Sequence, residues 1–357
     1  MEREFLEKLG VDGLWITGSA NMTYQSGFLG EGAVYVSATQ KVVVTDFRYV
    51  LSAKKEAPDY EIVTWRNSRG DTLRSLAEKD GFRQGGDSFR IGIEEDFMTV
   101  GQKEQLEQRF PEARFVGVSK ELNQLRSVKT SKEIEQIRRA EHVGDQTFLK
   151  VLEVLKEQKD TITEREVAAY IEYTYKTLGA SGPSFDTIAA SGEHSAMPHA
   201  MPTNDPLVPN HFLTMDFGCK VNGYCSDMTR TVAIGEIDEE KKRIYQTVLE
   251  AQEAAIAAIR PGMKGREVDQ VARDIIAQAG YGTYFGHALG HSVGLEIHEG
   301  PNFSPKEEAV ILPGMTITVE PGIYIEGVGG VRIEDLIVVT EDGCENLTQS
   351  EKKLIVI

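Results

Sequence analysis

Cysteine is scarce in this chain. Three occur in 357 residues (Cys219, Cys225 and Cys344), an odd number with no CxxC spacing, which excludes a disulfide framework and a thiolate zinc knot. They read as small core residues in a reducing compartment. Long apolar runs are missing too: no stretch approaches the ~18 residues needed to span a bilayer. The opening MEREFLEKLG has neither the basic region nor the apolar run of a secretory leader, so a cytoplasmic location is expected. Basic residues are the minority, 39 against 56 acidic, for a net charge of -17. That field repels phosphate backbones and anionic lipid surfaces, so neither nucleic acid nor a membrane is expected as a partner. No Walker-type GxxxxGK[ST] run, tandem repeat or low-complexity tract occurs.

What is present is ordinary globular material, 40% hydrophobic and 27% charged, of a length that favours two domains. In the first third, β-branched runs at Leu14 to Thr17, Ala33 to Ser37, Val42 to Thr45, Glu61 to Trp65 and Arg90 to Ile93 read as strands. Asp71 to Lys79 and Val100 to Phe110 read as helices, giving an α/β domain over residues 1–125. Near Leu125 the pattern changes. Thr130 with Glu133, and Thr163 with Glu166, form capping boxes ahead of helices, the second of which should stop by Gly179. Two more helices are expected at about Glu239 to Arg260, halted by Pro261-Gly262, and at Glu267 to Ala279. Residues 212–218, 224–234, 315–325 and 331–340 alternate polar and apolar positions as antiparallel strands do. Residues 126–357 are thus expected to be an α+β domain with helices on one antiparallel sheet.

Six of the seven histidines fall between His194 and His298. Asn222-Gly223 is a type I′ hairpin signal; with these two residues at the tip, Gly218 faces Asp227 and Asp216 faces Thr229. The two aspartates then share a face as diagonal neighbours, with Gly218 leaving the space above them open, while Leu213, Met215 and Phe217 take the opposite face. Two solvent-facing aspartates on an edge hairpin would show the same alternation. From Met315 to Val339, Thr316, Thr318 and Glu320 alternate with Ile317 and Val319, Gly327 to Gly330 turn the chain, and Arg332 and Glu334 share a face on the return. A surface ion pair is the plainer account of the last two. Between the hairpins lies a run from Gly286 to Glu299 holding His287, His291 and His298. Its glycines argue against a helix and let backbone approach a ligand, and Ala288 replaces the glutamate of HExxH.

Four acids meeting in one pocket would repel one another and take up protons unless cations neutralised them. Oxygen ligands with one imidazole suit Mn2+ or Co2+, and two such ions ~3.5–4 Å apart can activate a shared water for metal-assisted hydrolysis.

The sequence resembles the pita-bread metallopeptidases, specifically the proline peptidases (Xaa-Pro dipeptidase, or prolidase, and aminopeptidase P). The resemblance lies in the runs DFGCKVNGYCSDMTRT, GHALGHSVGLEIHE, TVEPGIYI and GGVRIEDLIVV. Asn21, Ser26 to Phe28 and Thr45 to Tyr49 are similar to the family's creatinase-like N-terminal domain. The resemblance implies that Asp216, Asp227, His291, Glu320 and Glu334 hold two divalent ions, Asp227 and Glu334 bridging them. It implies that Glu320 handles the proton of the attacking water, and that His199 and His298 contact the scissile carbonyl or the proline side of the substrate. His287 would line the substrate pocket, Arg332 would hold Glu334 and an acidic neighbour in place, and Phe185 and Asp186 would shape the cleft. It further implies a homodimer acting on short proline-containing peptides, as prolidase in preference to aminopeptidase P. Creatinase chemistry is disfavoured by the five intact ligands, and methionine aminopeptidase by the N-terminal domain. A non-peptidase amide hydrolase, or a non-catalytic binding protein on the same scaffold, is the alternative.

Overall fold

The computed structural model describes residues 2–65, 68–83 and 88–357. The chain falls into two compact units, Met1–Arg126 and Ser127–Ile357.

The first unit is built on β1 (Gly13–Ile16), β2 (Gly32–Ser37), β3 (Lys41–Thr45), β4 (Glu61–Thr64), β5 (Phe89–Ile93) and β6 (Ala113–Gly117), with helices α1 (Glu2–Leu9), α2 (Ser19–Ser26), α3 (Val50–Glu56), α4 (Arg69–Lys79), α5 (Val100–Arg109) and α6 (Ser119–Ser127). The strands form one mixed sheet in the order β4-β3-β2-β1-β5-β6. Both faces are covered, which is why β2 reads as continuously apolar: Ala33 and Tyr35 pack with Leu73, Leu76 and Leu106 from α4 and α5, while Val34 and Val36 pack with Leu6, Met22, Ala53 and Leu122 from α1, α2, α3 and α6. The expected α/β layering is present, with α1, α2, α3, α6 and β6 added.

The second unit has four long helices. α7 (Ser131–Gln158) and α8 (Glu164–Thr177) both start at the expected capping boxes, with Thr130 and Thr163 as the caps. α9 (Glu239–Ala258) and α10 (Gly265–Gln278) follow. Strands β7 (Gly182–Pro183), β8 (Ile188–Ser191), β9 (His211–Phe217), β10 (Cys219–Val221), β11 (Tyr224–Cys225), β12 (Met228–Ile234), β13 (Gly290–Ser292), β14 (Glu299–Phe303), β15 (Thr316–Val319), β16 (Gly322–Ile325), β17 (Gly329–Arg332), β18 (Asp335–Val339) and β19 (Cys344–Asn346) pair antiparallel. The pairing is antiparallel as expected, but the strands divide into four pieces instead of one sheet: β12-β9-β8, β14-β13-β15-β18-β19, β11-β10-β7 and β16-β17. Helices α7 and α8 cover the first piece through Phe148, Val151 and Ile171 against Leu213, Met215 and Phe217. Helices α9 and α10 cover the second through Val248, Ala255, Val268 and Ile276 against Ile317, Val319 and Ile337. The uncovered inner faces carry buried threonines and acids. Among the described residues no helix is long and apolar enough to cross a membrane.

Cys219 and Cys225 are buried and Cys344 is half-buried, all three as free thiols. Burial pushes the first two up to about 12, which leaves them protonated and inert at neutral pH.

Candidate metal centre

The hairpin register runs as the turn dictates. Asn222 and Gly223 take φ of 51° and 87°, Val221 pairs with Tyr224 and Asp216 with Thr229. Because Leu213, Met215 and Phe217 are buried against the helices, Asp216 is forced to the inner face. Gly218 has a different purpose from the open space expected of it. A Cβ there would lie 2.0 Å from the Ser226 carbonyl oxygen and 2.5 Å from Ser184 Oγ, so glycine permits chain closure and the space is filled. Gly290 is similar: a Cβ would sit 1.9 Å from the Thr318 carbonyl oxygen. Its glycine lets β13 approach β15 and gives no room to a ligand.

Three of the four acids stand where a strand stops and the chain changes sheets. Asp227 lies between β11 and β12, Glu320 between β15 and β16, and Glu334 between β17 and β18. Pro321, after Glu320, has no N–H for a ladder. The Glu320 N–H donates to Leu289 O (2.8 Å) and that of Glu334 to Thr229 O (3.1 Å), so each acid's backbone is held by a different segment of the fold.

Ligand atoms of Asp227, His291 and Glu334 lie within 4.8 Å of one another. His291 Nε2 is 3.4 Å from both Asp227 Oδ2 and Glu320 Oε1. Its Nδ1 is 3.3 Å from the Ser292 carbonyl, which can only accept; Nδ1 therefore carries the proton and Nε2 turns a bare lone pair toward the acids. Burial, with His298 beside it, pulls this imidazole down to about 4. Thr318 Oγ1 donates to Glu320 Oε1 (3.1 Å) and accepts the His291 N–H (3.0 Å). Arg332 binds Asp216 Oδ2 directly (2.6 Å) but reaches Glu334 only through Thr229, whose hydroxyl accepts from Arg332 Nε (3.1 Å) and donates to Glu334 Oε2 (2.7 Å).

The electrostatics are those of an anionic cage. Burial raises Asp227 well above the ordinary carboxylate range, and the charges of Glu334, Asp216 and Glu320 add to it. Glu334 is raised for the same reasons, burial first, then Glu320 and Asp216. Burial pushes Glu320 up to about 8 against the opposing pull of Arg332. Asp216 Oδ1 is buried with no hydrogen-bond partner. Raised acids, an orphaned carboxylate oxygen and a deprotonated imidazole nitrogen facing one point are the donor set a hard or borderline divalent cation takes.

This cage floors a cavity of about 500 Å3, whose wall includes Phe185, Asp186, Pro198, His199, Met201, His287 and His298. His199 is exposed. His298, also exposed, sets its ring 4.4 Å from that of His291, at 67°. His287 Nδ1 is 2.7 Å from the Ala288 carbonyl, and its Nε2 is 3.0 Å from the Tyr324 hydroxyl. That hydroxyl in turn accepts from Arg332 Nη1 at 2.7 Å. Hydrogen-bond direction therefore runs Arg332 to Tyr324 to His287 to Ala288, and burial draws the His287 ring down to about 4. α10 fixes this loop: Asp269 and Arg273 pair in two contacts, and Arg273 donates to the carbonyls of Phe285 and His287.

Sequence reasoning missed Thr229, Tyr324 and Glu141. Glu141 on α7 is fully buried, accepts the Asp227 N–H (3.2 Å) and the Thr348 hydroxyl (2.7 Å), and is pushed up to about 8 by burial. Its visible signal is an acid one turn after Ile137 on the face of α7 that is buried, followed a turn later by the buried Asp145. Gly290-His291-Ser292-Val293-Gly294 fits the GxSxG spacing of serine hydrolases, but Ser292 is buried on β13 and its hydroxyl donates to Pro301 O at 2.6 Å. It lacks the exposed strand-to-helix turn of such a nucleophile.

The chain is similar to known proteins over nearly its whole length. The profile of Metallopeptidase family M24 matches residues 135–341, and that of the Creatinase/Prolidase N-terminal domain matches residues 2–128. An Xaa-Pro dipeptidase of Pyrococcus furiosus is 37% identical over 99% of this chain and 97% of its own length. Among solved structures, an Xaa-Pro dipeptidase from Bacillus anthracis superposes with a TM-score of 0.93 at 39% identity, covering 99% of this chain and 98% of that one. An X-Pro aminopeptidase from Thermotoga maritima gives 0.90 at 35% identity, covering 99% and 100%. The chain belongs to metallopeptidase family M24, with a pita-bread catalytic domain preceded by a creatinase/prolidase N-terminal domain.

Proposed function

We propose that this chain is a cytoplasmic, homodimeric exopeptidase that cleaves the Xaa-Pro bond at the N-terminus of short peptides, acting as a prolidase in preference to an aminopeptidase P. The observation that carries the reading is the convergence of Asp227, His291 and Glu334 within 4.8 Å at the floor of the cavity. The Xaa-Pro dipeptidases of P. furiosus and B. anthracis support the substrate class. We assign residues 1–125 to the creatinase-like domain and 126–357 to the catalytic domain.

In this reading Asp216, Asp227, His291, Glu320 and Glu334 would hold two divalent ions, Mn2+ or Co2+. Bound there, the ions supply Lewis-acid polarisation of the scissile carbonyl and offset the cage's negative charge. Glu320, steadied by the Thr318 hydroxyl, takes the proton of the attacking water and returns it to the leaving nitrogen. His199 and His298 reach the substrate from the cavity wall and hydrogen-bond its carbonyl or the proline side. Arg332 holds Asp216 in place, and through Thr229 it holds Glu334. His287, tied to Tyr324, lines the pocket. A non-catalytic relative would be expected to have lost part of this donor set.

The test is hydrolysis of Xaa-Pro dipeptides and Xaa-Pro-Xaa tripeptides under Mn2+ and under Co2+, with a chelator control. Dipeptides should be cleaved faster, and chelation should abolish turnover. Other amides hydrolysed while both proline series survive would overturn the substrate assignment. His298→Ala should lower kcat roughly a hundredfold with metal stoichiometry unchanged, since its ring flanks His291 but sits outside the ligand cluster. Unaltered kinetics, or lost metal, would remove it from that role.

A further inference from the structure

One buried acid outside the cage has no part in the mechanism above. Glu164 opens α8 and is 2% exposed. Its Oε1 accepts the Ser191 N–H (2.7 Å), and its Oε2 accepts both the Thr203 N–H (2.9 Å) and the Thr203 hydroxyl (2.9 Å). His194 Nδ1 stands 3.0 Å from both oxygens; an ionised carboxylate only accepts, so that nitrogen bears the proton. A buried carboxylate is costly unless its lone pairs are satisfied, and here backbone N–H groups, a hydroxyl, an imidazole and the start of a helix satisfy it together.

The position of these donors is informative. Ser191 and Thr203 are the two ends of a segment with one short 3-10 turn, Gly192–Ala196, and no strand between them. That segment carries Pro198, His199 and Met201 to the cavity. Among the described residues, its middle is hydrogen-bonded to the sheet where Ser195 Oγ accepts the Gly330 N–H (2.8 Å) and where Pro198 O accepts a longer bond from Arg332 (3.4 Å), and Ala200 packs on Ile188 and Ala190 of β8. None of the hydrogen bonds described involves the His199 ring. The imidazole's position therefore depends on its loop's backbone, anchored in the middle by Ser195, Pro198 and Ala200 and at the ends by Glu164.

We propose that Glu164 is a positioning residue for catalysis: its carboxylate clasps both ends of the 191–203 segment and so fixes His199 against the substrate. This rests on the reading of His199 as a substrate contact. Glu164 touches neither substrate nor the cage, so its effect passes through His199 and leaves metal binding alone.

Glu164→Gln keeps shape and one acceptor but sets an NH2 against donors. It should lower kcat about 10- to 100-fold, the scale of a misplaced catalytic group, with the Mn2+ dissociation constant of the metal-free protein unchanged by calorimetry. In a cycle with His199→Ala, Glu164→Gln should add little in the His199→Ala background. The ring cross-peak of His199 in a 1H–13C spectrum, identified by its loss in His199→Ala, should shift or broaden in Glu164→Gln. Full additivity, weakened Mn2+ binding, or an unmoved cross-peak in a folded variant would overturn the proposal. Should Glu164→Gln fail to fold, Thr203→Val removes one donor and is read the same way, with a smaller shift expected. If His199→Ala alone leaves kcat intact, the assignment of His199 falls, and the cross-peak still decides whether Glu164 places its ring.

Discussion

Asp227→Asn is expected to lose metal and nearly all hydrolysis while folding at least as well as the parent chain. The carboxylate lies at the centre of the cage, 4% exposed, with its ionised form disfavoured by burial and then by Glu334, Asp216 and Glu320. A carboxyl whose folded pKa lies above its unfolded value costs stability at neutral pH when no cation is bound. Asparagine keeps the shape and removes that charge, so the metal-free variant should melt at the same temperature or higher. Adding Mn2+ reverses the order. Ligand binding to the native state stabilises by mass action, about 2.7 kcal/mol at a hundred times Kd, and only the parent chain should gain this in full. Turnover should fall roughly a thousandfold or more, about 4 kcal/mol of lost transition-state stabilisation. Calorimetry with and without Mn2+, metal analysis and an Xaa-Pro assay check the three parts. A metal-free variant that melts well below the parent, or one that retains stoichiometric metal and activity, would contradict the cage.

The second large effect concerns stability, behind the cage. Arg230 is 1% exposed, and its guanidinium donates to the carbonyls of Thr229 (2.9 Å), Glu334 (2.5 Å), Ser350 (2.9 Å) and Glu351 (3.1 Å) and to Asp335 Oδ1 (2.8 Å). Asp335 Oδ2 also takes Lys352 Nζ, Gln252 Nε2 and Asn346 Nδ2 at 2.8, 2.9 and 2.7 Å. Despite its burial, these partners hold the Asp335 carboxyl below the usual range, Arg230 and then Lys352 contributing most. The network pins the C-terminal segment to the strands that present Asp227 and Glu334. Arg230→Met leaves a buried carboxylate short of charge and several carbonyls short of donors, which costs about 3–5 kcal/mol. For a domain of this size that lowers Tm by about 6–20 °C. Replacing both partners, as Arg230→Met with Asp335→Leu, should recover part of the loss, because no buried carboxylate is left short of partners; Lys352 loses its ion pair but keeps its bond to Gln252 Oε1 (3.0 Å). A shift under about 2 °C for the single variant would show the network to be marginal.

The inner-face position of Asp216 could be read directly from sequence because it depends on local rules. An Asn-Gly tip fixes the register, period-two alternation sends Leu213, Met215 and Phe217 to one side and Asp216 to the other, and Thr130 and Thr163 mark helix starts through groups three residues away. The same rules place Thr316 and Thr318 inward. They stop working where the chain changes sheets. A continuous alternation from Met315 to Ile325 predicts one strand, yet Glu320 leaves β15 and its N–H finds Leu289, a partner that periodicity cannot name.

What the residues determined alone was which side chains turn inward, which segments form the longer helices, and that several acids near one histidine would need a cation. Tertiary structure decided the rest. It set Glu320 next to His291 and routed Arg332 to Glu334 through Thr229. It filled the space at Gly218 and put Glu141 and the C-terminal segment behind Asp227. The reason is one of range: alternation and capping act over a few residues of chain. The pairs that build this cage lie far apart in sequence and meet only when separate sheets and helices close around a common core.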